Sequence, residues 1–148
     1  MPILQRSNYS EHNEKMKTIL PEIYLAGGFA SGWQDSVIEE CKPVRLTFLD
    51  PRCHGLNEPS EYTRWDLDAV RRCQIVFAYL EATNPGGYAL SLELGYAKAL
   101  KKKIIFVENV SVLFPERAKY LDMLREVSDF TYPDLESGVK QLISLVHE

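Results

Sequence analysis

From Glu22 onward, short runs of apolar residues alternate with longer stretches whose apolar positions recur every three or four residues. The runs are "EIYLAG" (22–27), "VRLTFLD" (44–50), "QIVFAYLE" (74–81) and "KIIFVE" (103–108), with "DFTYP" (129–133) as a weaker fifth. Continuous apolar runs of this length predict strands buried on both faces, as in parallel sheets. The stretches between them predict helices over 31–41, 61–73, 86–102, 115–127 and 134–148, the second capped by Ser60. "PRCHGLNEPS" (51–60) is a polar loop rich in turn formers. Residues 1–20 read as a polar arm with a short helix over 10–19, and residues 21–148 as a single domain.

Five strands alternating with helices predict an α/β fold, a flavodoxin-like or Rossmann-like three-layer sandwich around a five-stranded parallel sheet. Ligands of such folds sit beyond the C-terminal ends of the strands. Four stretches meet there: 26–33, 50–60, 82–93 and 108–114. Glu93, a lone carboxylate in the apolar stretch "GGYALSLELGYAKAL", therefore lies at the ligand edge near a helix start.

Composition narrows the partners. The chain has 148 residues, 45% hydrophobic and 26% charged, with a net charge of −4. No basic stripe marks it for a nucleic-acid polymer. No apolar run approaches a membrane span, and polar residues 11–14 interrupt any signal-peptide pattern. Three scattered cysteines, 41, 53 and 73, argue against a disulfide framework. A cytoplasmic protein acting on a small molecule is expected.

A buried carboxylate needs partners or a task. Glu93 has two readings: a nucleophile at a sugar carbon, as in retaining glycosidases, or a first-turn acid complementing the helix dipole. "GGFASGW" (27–33) offers backbone amides at Gly27 and Gly28, yet it is not G-x-G-x-x-G, so no dinucleotide cofactor is expected. Gly86 and Gly87 similarly let backbone approach a ligand. Asp66 and Asp68 are two apart on a helix, so one faces the site and the other solvent, unless both pair with nearby arginines. Arg52, His54 and Asn57 are placed to contact a base or sugar. Phe29, Trp33 and Tyr88 either stack on a planar ligand or pack in the core. Cys53 and His54 have no second ligand pair at zinc spacing, so no metal is expected.

Over about residues 22 to 108 the chain resembles the nucleoside 2-deoxyribosyltransferase family and the related nucleotide N-glycosidases. The blocks that carry the resemblance are "IYLAGGF", "WDLDAVRRCQIVFAYL" and "GGYALSLELGYAKALKKKIIFV". It implies a flavodoxin-like fold, cleavage of an N-glycosidic bond without a cofactor, and a homodimer or larger homo-oligomer. It implies Glu93 as nucleophile, Asp66 at the nucleobase and Tyr24 orienting the glutamate. Gly87 stands six residues before Glu93, where transferases often carry aspartate and nucleotide-cleaving relatives serine. Ser91 stands two before it, where many members have glycine or another small residue. Nucleoside and nucleotide thus both stay open as substrates, as do transfer and hydrolysis. "NPGGYALSLE" also looks like the P-G-G-x-G-T-x-x-E block of cytokinin-releasing phosphoribohydrolases, without its threonine and with the glutamate one residue late. A non-catalytic nucleotide-binding module on the same fold is the other alternative.

Overall fold

The computed structural model describes residues 19–84 and 87–147. The helix read over 10–19 lies outside them, apart from Ile19. Five strands form one all-parallel sheet in the order β2-β1-β3-β4-β5: β1 (Glu22–Gly27), β2 (Thr47–Leu49), β3 (Ile75–Leu80), β4 (Lys103–Glu108) and β5 (Phe130–Tyr132).

Alternation along the strands feeds two cores. Tyr24, Ala26, Val76, Ala78, Ile104 and Phe106 face one way, against α2 (Pro59–Arg72) and α3 (Tyr88–Ala99). Ile23, Leu25, Ile75, Phe77, Ile105 and Val107 face the other way, against α1 (Trp33–Glu40) and α6 (Leu135–His147). These strand positions are apolar on both faces because both are covered, which gives the three layers.

Element ends follow local chemistry. α1 begins at Trp33 rather than 31 because Gly32 sits at φ 70, and α3 begins at Tyr88 because Gly87 sits at φ 94. In α2, Pro59 occupies the first turn behind Glu58, so Ser60 is inside the helix and caps nothing. β2 is shorter than its apolar run: it lies at the sheet edge with only β1 to pair with, while Val44 and Leu46 pack on the second core from outside the ladder.

The helix expected over 115–127 is two pieces, a 3₁₀ stretch (Pro115–Leu121) and α5 (Asp122–Val127). The Arg125 guanidinium takes the Ala118 carbonyl at 2.6 Å, while the Asp122 amide turns to Lys119 O. An unexpected single turn, α4 (Val110–Leu113), follows β4, with the Glu108 carboxylate accepting from the Ser111 amide. A 3₁₀ turn (Pro51–Cys53) opens the loop after β2.

After β1 the chain passes to α1 on one face of the sheet, and after β3 to α3 on the other. The crevice between the C-terminal ends of β1 and β3 is the switch point where such sheets bind ligands. Among the described residues no helix is long and apolar enough to cross a membrane.

Candidate active site at the β1–β3 crevice

Gly27 ends β1 at φ 150, and a Cβ there would lie 2.5 Å from Tyr79 O and 3.0 Å from the Trp33 ring. Only glycine lets β1 turn away this close to β3. The next carbonyl, Gly28 O, accepts two side-chain bonds from α1, from Trp33 Nε1 at 2.9 Å and Gln34 Nε2 at 3.0 Å. Those two donors hold the turn rigid. Opposite it, Gly87 starts α3. Between them lies a cleft of about 200 Å³ lined by Gly27, Gly28, Asn84, Gly87, Leu90 and Glu93.

Glu93 is 6% exposed and is the sixth residue of α3. The dipole reading weakens accordingly, because that field fades within the first turn. The Tyr24 hydroxyl, on β1, instead donates to Glu93 Oε2. Burial pushes the Glu93 carboxyl up to about 7. The Tyr24 bond pulls against that rise, and the negative charge of Asp66 adds to it. The Tyr24 phenol is pushed far up by burial and by Glu93, so it stays a donor. The result is a fixed carboxylate that is partly ionised at neutral pH, a state suited to attack on an electrophilic carbon. Tyr24→Phe removes the bond that favours the charged form. The Glu93 carboxyl is then expected to titrate above its value of about 7, read by ¹³C NMR of the carboxyl carbon.

Asp66 and Asp68 divide as their spacing requires. Asp68 pairs with Arg71 one turn along α2 and is half-buried. Asp66 turns inward; burial raises its carboxyl, with His54 pulling the other way. His54 Nε2 lies 3.7 Å from Asp66 Oδ1.

Several expected ligand contacts are engaged elsewhere. The stacking role for Trp33 does not fit, since its indole is 4% exposed, stacks on Phe77 and supports the glycine turn from below. Arg52 is not free for a ligand: it is held by Asp50 at 2.7 Å and Asp35 at 2.8 Å, tying the loop after β2 to α1. Ser91 Oγ donates back to Gly87 O on the exposed side of α3. Tyr88 is 86% and Phe29 51% exposed, and Asn57 is exposed in its loop. Gly86 lies outside the described residues.

Two contributors escaped the sequence reading, Asn84 in the cleft wall and Gln34. The signal for Gln34 was present, because it falls on the helical stripe of Val37, Ile38 and Cys41, where a polar residue is out of place. Among the described residues no cluster of three or more His, Cys, Asp or Glu is placed to hold a metal ion.

The profile of the family described as "Nucleoside 2-deoxyribosyltransferase like" matches residues 20–124, well over half of the chain. The chain belongs to this family. Among solved structures, this deoxyribosyltransferase-like chain is similar to a 2-desoxiribosyltransferase from Leishmania mexicana, with a TM-score of 0.68 and 20% identity over 84% of this chain and 97% of that one. It is also similar to a CMP N-glycosidase from Clostridium botulinum, at 0.55 and 21% over 82% and 97% of the two chains. A 2-deoxyribosyltransferase from Bacillus psychrosaccharolyticus aligns at 0.50 and 20% over 59% and 72%. At these identities the likeness is one of fold. No curated protein matches the chain in sequence.

Proposed function

We propose that this protein cleaves the N-glycosidic bond of a nucleoside or nucleotide, with Glu93 as nucleophile and transfer of the sugar to a second base or to water. The observation that carries the reading is the Tyr24–Glu93 pair: a buried carboxylate, fixed by a phenol, opening onto a glycine-walled cleft at the β1–β3 switch point. Family membership supports the same chemistry. Glu93 attacks C1′ and displaces the base, forming a glycosyl ester. Asp66, its carboxyl raised by burial, delivers a proton to the departing base. A second base or water then attacks C1′, passes its proton to the Asp66 carboxylate left by the first step, and releases Glu93 as the carboxylate.

The cleft is smaller than the roughly 300–1,000 Å³ usual for ligand sites, which supports completion by a second copy of the chain. Exposed apolar side chains on and around the site helix and its neighbours, Tyr88, Leu92, Val112, Leu113, Tyr120 and Met123, support the same homo-oligomer. Sedimentation as a monomer at assay concentrations would remove that part of the reading.

The test is chromatography of free base after incubation with ribo- and deoxyribonucleosides and their 5′-monophosphates, with and without a second base. Base release by the wild type, absent in Glu93→Gln, is the expected result. A new nucleoside containing the added base identifies a transferase, and free sugar a hydrolase. Saturable nucleotide binding with no bond cleavage, insensitive to Glu93→Gln, would favour a binding module.

A further inference from the structure

His54 sits in the loop after β2, its side chain 10% exposed, edge-on to Trp65 with ring centroids 5.0 Å apart. Its Nδ1 accepts a hydrogen bond from the Leu56 amide at 2.9 Å. A nitrogen that accepts carries no proton, so the neutral ring has its hydrogen on Nε2. That N–H faces Asp66 Oδ1, 3.7 Å away, too far for a direct bond. Oδ1 is itself buried and has no hydrogen-bond partner among the described residues. A buried acceptor without a donor thus lies across from the imidazole N–H, over a gap that a small shift of the loop would close. An orphaned buried oxygen is costly enough to demand such an explanation.

We propose that His54 is a positioning residue for Asp66: its Nε2–H binds Oδ1 in the working site and thereby places the acid's proton on Oδ2, toward the leaving base. The inference rests on the reading of Asp66 as the residue that protonates that base. A neutral carboxylic acid has one oxygen that accepts and one that donates. Without His54 the proton could reside on either, and only one arrangement delivers it. The other titratable groups whose charges couple to this carboxyl are Glu93 on α3 and Tyr24 on β1. Both are committed to each other, so among these titratable groups His54 is the one left to donate. This assigns His54 to the support of Asp66 rather than to the base or sugar.

The imidazole has two jobs that substitution can separate. His54→Asn keeps an acceptor near Nδ1 for the Leu56 amide and loses the distal donor. His54→Gln places an N–H near Nε2. Base release and the ¹³C titration of the Asp66 carboxyl are followed in both variants and the wild type. Expected for His54→Asn are a loss of about 10–100-fold in kcat with little change in KM, and an Asp66 midpoint above the wild-type value. His54→Gln is expected to restore both. An Asp66 midpoint unmoved in His54→Asn overturns the proposal, as does kcat unaffected in that variant. If the wild type releases no base from any substrate, the glycosidic reading fails, while the carboxyl titration still reports whether His54 and Asp66 are coupled.

Discussion

Glu93→Gln is expected to lose turnover by about 10³-fold or more and to be more heat-stable than the wild type at neutral pH. The first effect follows from removing a nucleophile that an amide cannot replace. The second follows from linkage. Burial raises the Glu93 carboxyl from the ordinary 4.5 to about 7 in the folded protein. Between those values the folded state binds more proton than the unfolded chain, so stability falls as pH rises through this window and levels off above it. The full penalty is about 3 kcal/mol. Glutamine keeps an oxygen for the Tyr24 hydroxyl and carries no charge to desolvate. The melting difference between variant and wild type should therefore be small near pH 4.5, grow up to about pH 7 and then stay constant. Calorimetry across pH 4.5–8 reads it. A flat difference would show that burial does not hold the carboxyl up, and turnover retained in the variant would remove Glu93 from the chemistry.

The same carboxylate shows how far the sequence reaches. The strands were legible because a parallel sheet covered on both faces demands continuous apolar runs, and β1 matches its run at both ends. The alternation of strands and helices put the stretch 82–93, and Glu93 with it, beyond the C-terminal strand ends where such sheets take ligands. Where the sequence reading failed, the cause was a partner distant in the chain or a competing acceptor. Arg52 looked available because its 3₁₀ turn is polar. It is consumed by Asp50 and by Asp35, which α1 brings from 17 residues away. For Trp33 the sequence left stacking on a ligand and packing in the core both open, and the residue is core. Its burial depends on Phe77 and Tyr79 of β3, which periodicity within 31–41 does not report. The break within 115–127 is set by one guanidinium reaching a carbonyl seven residues back, invisible to a helical pattern. Tyr24 was named through family resemblance alone. Its bond to Glu93 spans 69 residues and exists because α3 packs on the face of β1 where Tyr24 points.

Asp66→Asn separates leaving-group protonation from nucleophilic attack, and its effect should depend on the base. With neutral purines or pyrimidines the departing nitrogen anion is a poor leaving group, and loss of the acid is expected to cost about 10²–10⁴-fold in kcat. An N7-methylated purine nucleoside already carries a positive charge on the base and leaves as a neutral molecule, so it needs no proton. With that substrate Asp66→Asn should run within about tenfold of the wild type, because the amide still fills the site while the acid's task has vanished. Glu93→Gln should fail with both substrates, since C1′ needs its nucleophile whatever the base. Two single-turnover series, neutral and methylated, distinguish the roles. Equal losses with both bases in Asp66→Asn would mean that Asp66 orients the substrate or tunes Glu93 through its charge, and that the proton comes from elsewhere.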